Sequence, residues 1–341
     1  FWVARMIMMG LHFMGEVPFS RVLLAGMVTD EKGDKMSKVK GNVIDPLDVI
    51  GGATLEDLIE KAQFNGAKPK GLKYLKKTYA DGFPEYGTDA LRMTLLSYSP
   101  QARRIALSLK RVEGYRNFCN KLWNAARFSL MNLEGCDAEA TGQAPEVTTL
   151  TNRWILSRLA HALSTANAGL EAYRLDDASG ALYHFVWDEL CDWYLELTKP
   201  AFAEGADPAV AAETRQTLVH VFETVLRALH PMMPFITEEI WQKIPKSDAL
   251  GAHPRDASKP RSLIVARYPT AAADARIDED AEKALSLVQA AIGGARQIRS
   301  EHQVPWSKPI ELVYAGDDTV RAVLAANQGL VEALIGGTVR A

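Results

Sequence analysis

Between Thr54 and Pro245 apolar residues recur almost throughout at three- and four-residue spacing, and alternating runs nearly vanish. Long helical periods can bury their stripes only against one another, so the middle of the chain is expected to form a helical bundle. The period is interrupted at Gly66-Ala67-Lys68-Pro69, between Gly82 and Gly87, and in an acid- and glycine-containing loop over 134–149. The stretches between read as helices at Asp89–Met93, Leu107–Met131, Arg153–Ala172, Asp176–Leu197 and Ala209–Leu229. Residues 246–262, rich in Pro, Ser, Lys and Asp, read as a surface loop.

The two flanks carry a different pattern. Val3–Met14 is apolar on all sides, as a buried helix is. Gly15 and Pro18 end it, and Arg21–Val28 is a short apolar run that suits a buried parallel strand. Thr29–Asn42 is polar and lysine-rich, punctuated by Gly33 and Gly41, hence a loop. Helix, strand and loop in this order match the closing unit of an open α/β sheet, which binds ligands at the carboxyl ends of its strands. Asp45-Pro46-Leu47 then reads as a helix start with Pro in the first turn. After the bundle the pattern alternates again: helix at Asp280–Glu301, strand at Ile310–Tyr314, helix at Thr319–Ala326, a small α/β appendix.

Composition narrows the class. The 341 residues suffice for two or three domains, and 48% hydrophobic with 24% charged residues excludes a disordered tail, a fibre and a disulfide scaffold. No apolar run reaches the ~18–20 residues of a membrane span, and the most apolar stretch, Phe1–Met14, carries Arg5 and His12. Three cysteines (Cys119, Cys136, Cys191) are scattered, and the seven histidines make no HExxH or similar spacing, so no structural zinc is expected. A reduced, cytoplasmic protein is the expectation. A start at Phe1, inside an apolar period, leads us to expect a piece of something longer.

The net charge of −3 hides a gradient. Six lysines and no acid lie between Lys61 and Lys77, and seven bases stand against Glu113 alone between Ala102 and Phe128. Such segregation can offer a phosphate-binding face, although a solvated helix face gives the same pattern. The sharper signal is Lys35-Met36-Ser37-Lys38, flanked by Gly33 and Gly41-Asn42, directly after the strand. Two lysines three apart can bracket a polyphosphate as compact charges, and they catalyse if they engage it more closely as charge moves onto the leaving oxygens. On Lys121, Asn124 and Phe128, spaced i, i+3 and i+7 on one helical face, the chain offers a cation, an amide and a ring, the groups that read unpaired bases. A core ring at Phe128 and a merely solvated Lys121 fit that spacing as well.

KMSK after a strand, followed by GNVIDP and a helical bundle, resembles the signature loop of class I aminoacyl-tRNA synthetases. FWVARM (1–6), GLHFMGEVPF (10–19), DKMSKVKGNVIDPLDVI (34–50), YGTDALR (86–92), RVEGYRNFCNKLWNAARF (111–128), WDELCDWYLELTKP (187–200) and HPMMPFITEEIW (230–241) are similar to the bacterial valyl-tRNA synthetases of that class. The resemblance runs essentially end to end, and the match at 111–128 favours the valine family over its isoleucine and leucine relatives. It implies a mostly α fold: the end of a Rossmann-like catalytic domain with the KMSK loop (1–45), a connecting stem-contact segment (46–100), an anticodon-binding bundle (101–270) and a small α/β subdomain (271–341). It implies L-valine, ATP with Mg2+ and tRNA(Val) as reactants of a monomeric ligase. Lys35, Ser37 and Lys38 would be catalytic, with Lys35, Lys38, Gly26 and Val28 at the ATP. Trp2 would wall the amino-acid pocket, though a core tryptophan at a helix start fits its spacing equally. Lys121, Asn124 and Phe128 would read the anticodon, and Lys110 and Arg116 would hold RNA backbone. Trp123, Trp187, Trp193 and Trp241 read as bundle core.

The chain departs from the family where Val39 replaces the Ser that usually follows KMSK, and where Ala25 replaces a His before Gly26. A His-x-Gly-His motif, the first half of the sheet, an editing domain and a terminal coiled coil are not in these residues. The chain alone is therefore expected not to activate valine. The alternatives are a non-catalytic tRNA-binding module and an isoleucyl or leucyl enzyme.

Overall fold

The computed structural model describes residues 1–99, 102–141, 143–247, 250–252, 261–270 and 277–340. The expected joins at 100/101 and 270/271, and most of the expected surface loop at 246–262, lie outside the described residues.

Helix α1 spans Trp2–Met14 and stops at Gly15, whose φ of 76° suits only a residue without Cβ. The expected helix is there, but its expected burial is not. None of its residues is buried, and Phe1, Trp2, Met8 and Phe13 are among the large apolar side chains it exposes. An all-round apolar pattern specifies that partners are wanted; it does not supply them. The expected strand at Arg21–Val28 shrinks for the same reason to β1, Met27–Thr29. Among the described residues it has one neighbour, β2 at Arg104–Ala106, parallel and in register with Val28 opposite Ile105. Thus the start of the basic 102–128 segment, ahead of the expected helix, is a strand.

Asp45 starts the helical part of the chain as the sequence suggests. Its carboxylate accepts the Leu47 amide at 2.9 Å ahead of α2, Pro46–Gly51. Thr54 and Asp57 then exchange hydrogen bonds in a capping box that opens α3, Leu55–Phe64. Helices α4 (Pro69–Thr78) and α5 (Thr88–Leu96) follow. Val49, Leu75, Phe83, Leu91 and Val112 belong to a small core beneath these helices.

The long helices build a second, larger core. They are α6 (Leu109–Asn132), α7 (Leu150–Glu171), α8 (Leu175–His184) and, beyond the short α9 (Leu195–Thr198), α10 (Pro208–Leu229) and α11 (Pro234–Lys243). Between α8 and α9 the chain widens into ten residues of π-helix, Phe185–Tyr194. Trp241 is fully buried, while Trp123, Trp187 and Trp193 pack partly buried against the same core, as expected. Two polar knots fix the packing, the first half-buried and the second fully buried. Glu213 of α10 caps α7, accepting from both amide and hydroxyl of Thr148 and Thr149 and from Asn152, at 2.7–3.0 Å. Glu223, fully buried, accepts from Arg227 at 2.8 Å and from Trp241 Nε1 at 3.2 Å.

The appendix begins with α12, Glu279–Glu301, docked on α7 through Arg153–Asp278 at 2.7 Å and Arg158–Glu282 at 3.1 Å. Strand β3 (Ile310–Val313), helices α13 (Asp318–Ala326) and α14 (Gln328–Ile335), and β4 (Gly337–Arg340) complete it, with β3 and β4 parallel. Arg299 of α12, 3% exposed, donates to the carbonyls of Pro305, Lys308, Ile335 and Gly336 at 2.9–3.1 Å, with Trp306 against its guanidinium.

Candidate functional site

The lysine-rich loop sits at the carboxyl end of β1, where an α/β sheet holds its ligands. Its fold is set by two buried polar residues, Asp30 (2% exposed) and Asn42 (5% exposed). Asp30 Oδ1 accepts the amides of Lys32 and Asp34 at 3.1 and 2.8 Å, turning the chain at Gly33 (φ 80°). Asn42 Nδ2 donates to Asp30 Oδ2 at 2.8 Å and to the Lys35 carbonyl at 3.3 Å, while Asn42 Oδ1 accepts the Ser37 amide at 2.9 Å. Burial pushes the Asp30 carboxyl up, but the bonds from Asn42 and from the amides of Asp34 and Lys32, with the nearby Lys32 charge, hold it below its ordinary value. One amide side chain therefore clamps both ends of Lys35-Met36-Ser37.

The clamp leaves the lysines outward. Lys35 and Lys38 are exposed on either side of Met36 and the extended Ser37, and three residues of chain separate their Cα atoms by at most about 10 Å. That spacing suits two points on a polyphosphate rather than one phosphate. Lys38 opens a short 3-10 turn (Lys38–Lys40) closed by Gly41 at φ 69°. It also lines a cavity of about 320 Å³ whose wall includes Asp45, Asp48, Lys61 and Asn65. There Lys61 is paired with the buried Asp48, which among the described residues of that wall leaves Lys38 as the cation available to a ligand. Val39, in place of a hydroxyl residue, is half exposed and uses its carbonyl to accept the Lys68 amide at 3.2 Å. Gly26 precedes β1 and serves close packing: a Cβ there would meet the Ala102 carbonyl at 2.3 Å. Val28 is in the strand, 37% exposed. Trp2 is 76% exposed on α1, with Arg5 of its own helix over the ring at 5.0 Å.

Helix α6 carries the second group of expected residues. Lys110, Asn117, Asn120, Asn124 and Arg127 are exposed along one side of it. Asn117 and Asn120 extend the amide face of Asn124 and were outside the sequence-based expectation, although their spacing was readable. Phe128 is partly buried against the core, so only part of its ring faces out. Lys121 is engaged, paired with Asp192 at 2.5 Å and seated 3.9 Å from the centre of the Trp187 ring. Arg116 pairs with Glu113 at 3.4 Å and lies over Tyr86 at 5.5 Å. The π-helix supplies both partners of Lys121, and no periodicity in the sequence signals that.

Two of the quoted motifs meet in space. Asp89 accepts the amides of Phe235 and Ile236 at 3.4 and 2.7 Å, capping α11, and Arg92 donates to the carbonyls of Pro231 and Met232 at 2.8 and 3.1 Å. Burial raises the Asp89 carboxyl above its ordinary value, against the pull of those two amides. YGTDALR is therefore the lock between the connecting helices and the bundle. Among the described residues no three metal-ligating side chains gather, and no helix is long and apolar enough to cross a membrane.

Comparison with known proteins accords with this layout. Residues 1–108 match the family model described as tRNA synthetases class I (I, L, M and V), and residues 152–314 match the anticodon-binding domain of tRNA ligase. The chain belongs to the class I tRNA synthetases. Within that class, its relatives include the valine–tRNA ligases of Laribacter hongkongensis (44% identical over 88% of this chain and 32% of that one), Stenotrophomonas maltophilia (45%, 92% and 32%) and Xylella fastidiosa (42%, 94% and 33%). The chain thus spans about a third of the length of the curated relatives it matches. A solved ternary complex from Agrobacterium radiobacter K84, LeuRS with tRNA and LeuAMS, aligns at 21% identity with a TM-score of 0.47 over 80% of this chain and 26% of that one, too weakly to carry an argument.

Proposed function

We propose that this chain forms part of a valine–tRNA ligase, a cytoplasmic enzyme that activates L-valine with ATP and Mg2+ and transfers it to tRNA(Val). The observation that carries the reading is the clamped loop. Asn42 and Asp30 fix the backbone of Lys35-Met36-Ser37 at the end of β1 and leave Lys35 and Lys38 exposed. Lysines presented that way stabilise charge that develops on a triphosphate as pyrophosphate departs, with no proton transfer required. Ser37 contributes its backbone to the clamp and is placed between them. Gly26, just before β1, and Val28, within it, are assigned to the adenine, and Trp2 to the valine pocket together with parts of the enzyme outside these residues.

The 1–45 region would close the catalytic domain and 46–100 would connect it to the bundle. In 101–270, Asn124, Lys121 and the open part of Phe128 would read the anticodon, with Lys110 and Arg116 on the backbone; 271–341 would brace the far side. A monomer and an isolated chain without activation activity complete the reading. The test is binding of a valine tRNA transcript, and of the same transcript with a changed anticodon, across a salt series. Binding that collapses with the anticodon change is the expected result. Weak binding indifferent to the anticodon, with a steep salt slope, would reduce the bundle to a charged surface and refute the recognition assignment.

A further inference from the structure

The lysine loop does not end at its own clamp; one of its side chains reaches the bundle. Helix α6 starts at Leu109 without a side-chain cap from its N-cap residue Ser108. The Leu109 amide, one of the orphan donors of a helix start, donates instead to Glu31 Oε1 at 2.9 Å, across 78 residues of sequence. A carboxylate there also opposes the positive end of the helix dipole. The approach to the helix is tied to the same strand: the Leu107 amide donates to the Thr29 carbonyl at 3.1 Å, and Thr29 Oγ1 donates to the Ile105 carbonyl at 3.1 Å. Glu31 adjoins Asp30, Asp30 accepts from Asn42, and Asn42 accepts from Ser37. A continuous path of hydrogen bonds and backbone therefore runs from the first turn of α6 to the middle of the KMSK loop.

We infer that Glu31 is a positioning residue that couples the loop to the position of α6, so that RNA seated on α6 changes the freedom of Lys35 and Lys38. The positioning half stands on the geometry alone; the coupling half rests on reading α6 as an RNA-binding helix. The bond is directional and set at 2.9 Å, so an ångström of movement of the α6 start breaks it or draws Glu31 along, and Asp30 with it. Glu31 is exposed, so its replacement removes the tie without opening a cavity in either core.

The experiment compares the chain with its Glu31→Ala and Glu31→Gln variants. Two readouts are used, tryptic cleavage at Lys35, Lys38 and Lys40, and amide exchange at Leu109 and Ser37. Loss of a helix cap corresponds to roughly a fivefold change in a local opening equilibrium, so Glu31→Ala should speed loop cleavage and Leu109 exchange by about that factor. Glu31→Gln keeps an accepting oxygen and should restore most of the protection. Wild-type cleavage and exchange in Glu31→Ala would overturn the positioning role. The same measurements are then made with an anticodon stem-loop RNA that lacks the acceptor arm, direct shielding of the loop being common to the wild type and Glu31→Ala. RNA that alters loop cleavage in the wild type but not in Glu31→Ala, at equal occupancy, supports the coupling. RNA that binds without altering cleavage, or alters it equally in both, overturns the coupling and leaves the α6 reading standing. RNA that fails to bind the wild type overturns the α6 reading and the coupling together, while the RNA-free arm still decides the positioning role.

Discussion

Replacing Asn42 by Ala is the most direct challenge to the clamp. The substitution removes the 2.8 Å bond to the Asp30 carboxylate, the 2.9 Å bond from the Ser37 amide and the longer contact with the Lys35 carbonyl. A bond to a charged group contributes about 1.5–3 kcal/mol and a neutral one about 1 kcal/mol. Water entering the vacated space recovers part of this, so the net loss is about 2–3 kcal/mol, felt locally because the loop lies outside the larger core and meets the smaller one through the partly buried Met36. At 1.4 kcal/mol per decade, the loop's open population should rise roughly 30- to 150-fold. Tryptic cleavage at Lys35 and Lys38 follows that population when opening is fast relative to cleavage. The thermal midpoint of the bundle should hardly move. A second signature comes from Asp30. Its folded carboxyl is held below the ordinary value, so its contribution is present above that value and fades as pH falls through the depressed one. Without Asn42 the depression shrinks, and loop protection should fail at higher pH than in the wild type. Cleavage changed by less than about threefold, with an unaltered acid limb, would mean that the loop is held by something other than Asn42.

Two further outcomes follow from two carboxylates of α10, the half-buried Glu213 and the buried Glu223. Burial pushes the Glu213 carboxyl up, but the donors of Thr148, Thr149 and Asn152 outweigh it and bring it down to about 2. Its contribution, of order 3 kcal/mol, should be complete above the ordinary glutamate value near 4.5 and disappear as pH falls towards 2; chemical denaturation across that range measures it, and Glu213→Gln should flatten the dependence. Glu223→Ala leaves Arg227 (11% exposed) and the Trp241 indole N–H without their shared acceptor, and should cost about 3–5 kcal/mol, read as a lower denaturation midpoint at unchanged slope. A loss under about 1 kcal/mol would show that the knot is dispensable.

The helices were legible because their signals are local. Asp45-Pro46 begins α2 as written, and the expected limits of α6, α7 and α10 lie within three residues of those observed. Strand β2 was not legible, because Arg104-Ile105-Ala106 is made a strand by Met27-Val28-Thr29, far away in sequence. Strand β4 was missed for a related reason: Gly337 has no side chain to signal it, yet a Cβ there would lie 2.0 Å from the Ile310 carbonyl. Within the site, Lys35 and Lys38 announced themselves by charge and spacing. Asn42 read as a flank of the lysines and Glu31 as one more polar loop residue, since their roles depend on where Asp30 and Leu109 arrive in space. Lys121 was found as a cation, but its Asp192 and Trp187 partners come from the widened helix, which has no sequence period of its own.

Arg299 has a consequence for how the appendix can come apart. One guanidinium gathers the carbonyls that follow α12 and those that end α14. Neither segment can peel away without abandoning a buried charge, so fraying of one alone is penalised. The appendix should behave as a single foldon, with its slow-exchanging amides opening together rather than in sequence from β4. Lysine at this position would keep the charge but lose the planar fork, and the two halves would become separable.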